Sequence, residues 1–210
     1  MMKSKTGITL ILVGVILIGA AVGLYLYNRG LENAAAEASA QVAPQILEAI
    51  EQNQNDNAQE SSSSLPQFIA KHQLDPNRPM PIVHVDGHDY IGYLSIPSLG
   101  LELPIMSTWS YPKLRIAPCR YTGSLYLDNL VLMAHNYDRH FGRLKNLRHG
   151  DVILFTDMDG LTVEYEVIAL DVLEPTAVDE LTAGEFDLTL FTCTYGGKSR
   201  VTVRCDRVGS

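Results

Sequence analysis

Cysteine is scarce in this sequence, with three among 210 residues, and so are basic side chains, with 16 Lys and Arg against 24 Asp and Glu. Each shortage excludes a class of protein. A formal net charge of −8 without any run of Lys or Arg provides no concentrated basic face for phosphates, so nucleic acid is excluded as a partner. Cys119, Cys193 and Cys205 are too few and too scattered for a disulfide scaffold or a Cys-rich zinc site. Whether Cys119 and Cys205 pair is open, because spacing alone does not bring two Cα atoms within bridging range. An odd count still leaves at least one thiol free or joined to another chain. No cofactor and no metal site are expected. His84-Val-Asp-Gly-His88-Asp89 has clamp spacing without a third ligand, and Asp157-Met-Asp159-Gly160 lacks the later glutamate of a calcium loop, so both are read as turns.

Long apolar runs are also rare. The one present, Ile8 to Tyr27, has Thr9 as its only clearly polar member. At about 1.5 Å per helical residue it spans a hydrocarbon core of about 30 Å. Lys3 and Lys5 precede it, while Arg29, Glu32 and Glu37 follow, so the bias of positive charge puts the N-terminus in the cytoplasm. A cleavable signal peptide ending near Ala38-Ser39-Ala40 is the competing reading, but its apolar region normally stops at about 15 residues. The expected organisation is a cytoplasmic N-terminus (1–7), a transmembrane anchor (8–27), an extracytoplasmic tether and irregular arm (28–80) and a catalytic domain (81–210).

The tether is rich in Ala, Gln, Asn, Glu and Ser and contains Pro44, which predicts a solvated segment with at most a short helix over 40–51. Residues 65–81 hold four prolines and no clear period and read as an irregular arm leading into the domain. From His88 on, short apolar runs alternate with Gly, Pro, Asp and Asn. Strands are expected near 90–96, 101–106, 116–121, 130–135, 151–156, 162–173, 188–193 and 200–208, and a short helix over 139–147. Seven or eight short strands predict an all-β fold, a closed barrel or a sandwich, without internal repeat.

Thr189-Leu-Phe-Thr-Cys193 ends an apolar strand in a thiol, and Thr194-Tyr-Gly-Gly-Lys198 is a turn that returns the chain at Arg200. This order brings a guanidinium back towards Cys193, where a nucleophilic thiolate is plausible chemistry. Leu132-Met-Ala-His135-Asn-Tyr likewise carries a histidine out of a buried strand. A thiol, an imidazole and a cation are what acyl transfer through a thioester needs. Trp109, Tyr111 and Tyr126 are candidates for lining a peptide groove, although aromatic residues near strands more often belong to a core.

Thr189–Cys193 matches the TLxTC signature of sortases, Arg200 follows shortly after, and His135 lies in an AHNY segment close to their GHN-type motif. Tyr90-Ile-Gly-Tyr-Leu-Ser-Ile-Pro followed by Leu-Glu-Leu-Pro-Ile is similar to their opening strands, so the resemblance covers residues 90–208. It implies an eight-stranded sortase-type β-barrel with short helices, with Cys193 as nucleophile, His135 as general acid/base and Arg200 as the oxyanion-stabilising group. It further implies Thr192 and the Thr194 backbone NH as helpers at the oxyanion, and the acidic loop 174–187 as the substrate-recognition loop. The implied partners are surface proteins bearing an LPxTG-like C-terminal sorting signal and an amine acceptor, such as a peptidoglycan precursor of a Gram-positive cell wall or a pilin lysine. Ala134 stands where many relatives have Gly, and the connection from Cys193 to Arg200 is short, which leaves the subclass open. With no hydrophobic segment after Val208, wall anchoring is favoured over pilus assembly.

Two other classes compete. A papain-like wall peptidase has cysteine before histidine, and an L,D-transpeptidase places His-Gly directly before its cysteine; Phe191-Thr-Cys193 fits neither. A membrane-tethered β-domain that binds a wall component, with an incidental thiol, is the non-enzymatic reading.

Overall fold

The computed structural model describes the backbone of residues 3–60 and 75–209 and the side chains of 7–56 and 75–209. The first helix, α1, covers Lys3–Glu60. Nine strands follow: β1 (Val83–Val85), β2 (His88–Ile96), β3 (Leu101–Met106), β4 (Cys119–Thr122), β5 (Leu130–Ala134), β6 (Val152–Asp157), β7 (Thr162–Leu173), β8 (Leu188–Cys193) and β9 (Arg200–Arg207). Two short helices, α2 (Tyr111–Leu114) and α3 (Val178–Thr182), sit between them.

The eight strands β2-β3-β4-β5-β8-β9-β7-β6 form one sheet that closes through the β2–β6 pairing into a barrel. Alternation along β7 places Val163, Tyr165 and Val167 inside and leaves Glu164 and Glu166 on the wet face. Leu130, Leu132 and Ala134 of β5 join the barrel core, while Val131 packs on the outer side with Phe191 and Leu181, so β5 is covered on both faces. β1 is an extra strand hairpinned onto β2 through Asp86 and Gly87. Their φ values of 49° and 79° are the left-handed pair of a two-residue hairpin turn. The sequence read this segment only as a turn; His84 and Asp89 are cross-strand neighbours in it, 2.8 Å apart.

Register defines two ends of the barrel. Cys193, Arg200 and Leu173 are matched across β8, β9 and β7, and Ala134 of β5 lies beside Thr192. The β6–β7 turn precedes the first residue of β7 and lies at the opposite end. Asp75 and Pro76 belong to a turn, with Asn77 N donating to Asp75 Oδ1, and Arg78 next to it pairs with Asp159 of that distant β6–β7 turn.

Two expectations need correction. Residues 28–60 are not a solvated tether with a short helix at 40–51: α1 is one helix throughout, and its second half docks on the barrel. The composition read as disordered is equally a run of good helix formers, with no glycine from Leu31 to Glu60. Ala35, Ser39, Val42, Ile46 and Ile50 recur every three or four residues and are all buried, a narrow stripe whose Val42, Ile46 and Ile50 seat on Tyr90, Met106, Leu114, Ala117 and Cys119. Pro44 is tolerated because it and Ala40, whose carbonyl loses its partner, face solvent. The irregular arm at 65–81 lies mostly outside the described residues. Residues 139–147 form turns and a single 3-10 turn at Leu144–Asn146, not one helix. Phe141, Leu144 and Leu147, spaced by three, are instead a plug of buried side chains closing the barrel core.

Candidate active site

Cys193 ends β8 and faces Arg200, the first residue of β9, as its direct cross-strand partner. Thr194 N donates to Ser199 O at 2.9 Å, and Ser199 N donates to Thr194 Oγ1 at 3.0 Å, which hold the connecting turn closed. Gly196 and Gly197, at φ 79° and 71°, supply the left-handed backbone that so short a return requires. Opposed side chains on antiparallel strands have Cβ atoms about 5 Å apart, so thiol and guanidinium share one small region. Arg200 Nη1 donates to Gly197 O and Ser199 O, each at 3.3 Å, which holds one terminal nitrogen of the guanidinium beside the turn.

His135 arrives from β5. The parallel pairing of β5 and β8 ends at Ala134 and Thr192, and the next residues of the two strands are His135 and Cys193, the latter still paired to β9. The Thr192 hydroxyl, buried, donates to Ala134 O at 2.8 Å and locks the strands at that point. His135 is half-buried with its ring centroid 5.0 Å from that of Tyr137. Burial, aided by the positive charge of Arg115, holds its pKa below the ordinary histidine value. The imidazole is therefore biased towards its neutral, proton-accepting form.

Register puts Cys193, His135 and Arg200 at one end of the barrel, while the donors of the two expected helpers are engaged within the protein. Thr192 Oγ1 is committed to Ala134 O and the Thr194 NH to Ser199 O, so neither has its donor directed at an oxyanion. Thr192 acts on register instead. Tyr126 is likewise no groove residue: it is buried and donates its hydroxyl to Asp157 Oδ2 at 2.6 Å, at the far end of the barrel. Trp109 and Tyr111 do contact each other, edge to face, and Trp109 continues through Tyr121 to Phe191, two residues before the thiol. An open depression of about 430 Å³ lies beside Trp109 and Tyr121.

One residue that sequence reasoning missed is Arg204. Buried under the 174–187 loop, it donates to Leu181 O, Glu180 O and Thr189 Oγ1 and lies 3.5 Å from Asp171. It pins α3 over the outer face of β5 and β8, where Leu181 meets Val131 and Phe191. The alternation in β9 gave no sign of this, since a buried arginine is read from its partners and not from its strand.

The other two thiols are unlike Cys193. Both are fully buried and unbridged, burial pushes Cys119 up to about 12, and burial raises Cys205 as well. Iodoacetamide at neutral pH is expected to modify the native chain at Cys193 alone, with Cys119 and Cys205 reacting only after unfolding. Peptide mapping of the alkylated protein by mass spectrometry checks this.

His140 follows in the same loop, fully buried, 5.7 Å from the Tyr137 ring. Burial and, after it, the His135 ring push its pKa down to about 4 against the opposing effect of the Ala35 backbone of α1. Below pH 6.5 the unfolded chain binds a proton here that the folded chain refuses, so stability falls as pH drops from 6.5 to 4 and is level above that window. At about 1.4 kcal/mol per pKa unit the loss reaches about 3 kcal/mol. Urea unfolding at pH 7 and pH 4 is expected to show this difference in the native chain, and a smaller one in His140→Gln. Equal differences in both would remove His140 as the cause.

A family model of the sortase domain matches residues 94–208. Among solved structures, sortase C1 from Streptococcus suis is 30% identical over 59% of this chain and 75% of that one, with a TM-score of 0.51. Sortase A from Corynebacterium diphtheriae, a lid mutant, is 25% identical over 82% of this chain and 96% of that one, at 0.51. Sortase C from Streptococcus pneumoniae, 20% identical over 83% and 97% of the two chains at 0.54, is a likeness of fold. No curated protein sequence matches. The matched span runs from the middle of β2 to the end of β9 and includes the thiol, the imidazole and the guanidinium, and this chain belongs to the sortase family of cysteine transpeptidases.

Proposed function

We propose that the chain is a single-pass membrane enzyme, N-terminus inside and barrel outside, that cleaves an LPxTG-like C-terminal sorting signal and joins the shortened protein to an amine of a Gram-positive cell wall. Cys193 is the nucleophile, His135 the general acid/base and Arg200 the oxyanion-stabilising group. The carrying observation is the register of three adjacent strands, which delivers these three side chains to one end of the barrel. The anchor is supported by α1, the one helix among the described residues that is long and apolar enough to cross a membrane, with its apolar window unburied.

His135 takes the proton of the Cys193 thiol as the sulfur adds to the scissile carbonyl carbon, and the carbonyl oxygen takes up negative charge beside Arg200. Collapse of this intermediate breaks the C–N bond as His135 gives a proton to the leaving amine, which departs with the tail. An incoming amine then attacks the thioester carbon, His135 accepts its proton, and the thiolate leaves. Water in the same role would give hydrolysis, so the acceptor decides the product.

The test incubates the full chain in detergent with a library of fluorescent sorting-signal peptides, with and without an amine acceptor, and reads products by mass spectrometry. One peptide class cut and joined to the amine only when Cys193 is present supports the proposal. If no peptide is cut while iodoacetamide still labels Cys193 rapidly, the substrate is a different acyl compound; slow labelling as well would favour a binding module.

A further inference from the structure

The loop that follows His135 is the most basic stretch of an acidic chain. Between Asn136 and Gly150 stand Arg139, Arg143, Lys145 and Arg148 against Asp138 alone. The loop joins the end of β5 to the start of β6, so it lies at the catalytic end of the barrel. Its apolar members point inward, with Phe141 and Leu144 fully buried. Its cations remain outside: Arg139, Lys145 and Arg148 are exposed, and Arg143 Nε donates to Asp138 O at 2.9 Å. An apolar plug with a cationic outer face fits an anionic surface.

Helix α1 tells where that surface is. The helix is continuous from Lys3 to Glu60, its apolar run ends at Tyr27, and Glu32 Oε1 already accepts from Asp138 N at 2.6 Å. Only about 8 Å of helix separates the end of the run from the basic loop. From there α1 runs along the barrel for about 33 Å, and at its far end Asn53 donates to Met158 O and Gln54 to Gly160 O of the β6–β7 turn. A helix tied to both ends of the barrel leaves one orientation. The catalytic end faces whatever holds the apolar run, and the β6–β7 turn faces away.

We propose that the catalytic end of the barrel docks on the anionic headgroup surface of the membrane through the exposed cations of the 139–148 loop, with α1 as the rigid arm that keeps Cys193 at that surface. The proposal rests on the membrane span assigned to residues 8–27. It gives the site a place as well as a chemistry: substrates tied to the same bilayer meet the thiol near headgroup level, without having to climb the length of the barrel.

The test uses the full chain carrying Cys193→Ala and one dye-labelled cysteine, either Lys145→Cys in the basic loop or Leu127→Cys, 52% exposed between β4 and β5 at the far end. The chain is reconstituted into phosphatidylcholine vesicles with or without phosphatidylglycerol, and quencher is attached to lipid headgroups. The label at 145 is expected to be quenched several-fold more than that at 127, the more so with phosphatidylglycerol, and Arg139→Glu with Arg148→Glu should abolish that lipid dependence. Equal quenching at both positions, in vesicles that retain the chain through an alkaline carbonate wash, overturns the docking alone. Lipid dependence that survives the double substitution removes the basic loop as the contact. Release of the chain by carbonate overturns the membrane span, and the docking with it.

Discussion

A chain that begins at Leu65 is expected to unfold or aggregate under conditions where one that begins at Leu31 stays folded. Val42, Ile46 and Ile50 are all buried against Tyr90, Met106, Leu114, Ala117 and Met158, and removing α1 uncovers both sides of that contact. Full burial of a large apolar side chain contributes about 1.5–3 kcal/mol, so the three helix residues alone are worth about 5 kcal/mol or more. A domain of this size is stable by about 5–15 kcal/mol in all. The helix is thus part of the fold that carries the site, and not an appendage to it.

Point substitution separates docking from mere presence of the helix. Ile46 is fully buried, whereas its neighbour Leu47 is 42% exposed. Ile46→Ala is expected to cost about 2–5 kcal/mol. That corresponds to a fall of about 5–15 °C in thermal midpoint. Leu47→Ala should shift it by no more than a degree or two, since both substitutions place the same good helix former in α1. Equal shifts in the two variants would mean that the stripe does not bear on the barrel.

Strands were legible because their signals are local. The long β7 and the catalytic β8 are found between the same residues, 162–173 and 188–193, that alternation and turn chemistry predict. The site was legible for a different reason: register follows from a short return, so Cys193 and Arg200 had to be neighbours once the turn between them was recognised. What failed depended on distant partners. A stripe of Ala, Ser, Val and Ile on a polar helix has no meaning until the barrel wall with Tyr90 and Met106 lies against it. Phe141, Leu144 and Leu147 suit one side of a helix, yet a spacing of three suits turns as well, and the open barrel end decided between them. Hydrogen-bond donors are the least legible of all, since nothing in Thr192 or Thr194 announces that Ala134 and Ser199 have already taken their hydrogens.

On the roles proposed above, with the donors of Thr192 and Thr194 engaged elsewhere, the oxyanion falls to Arg200, and its loss is expected to be nearly as costly as damage to the histidine. Removing one donor to a tetrahedral oxyanion costs about 10²–10³ in rate, and in Arg200→Ala neither Thr192 Oγ1 nor the Thr194 NH is directed there to compensate. A fall of at least that size in kcat/KM for peptide cleavage is the expected result, whereas Cys193→Ala abolishes acyl transfer outright. Arg200→Lys should recover only part, because a compact ammonium does not reproduce a planar guanidinium held beside Gly197 O and Ser199 O. Alkylation of Cys193 provides the discriminating readout, since displacement by sulfur on iodoacetamide develops no oxyanion. If Arg200→Ala slows peptide cleavage a hundredfold or more but alkylation only a few-fold, the guanidinium acts on the tetrahedral intermediate. If both fall together, Arg200 works through the thiol itself, as a cation that favours the thiolate. A variant that cleaves peptide at the native rate would leave the oxyanion to another group and remove Arg200 from the chemistry altogether.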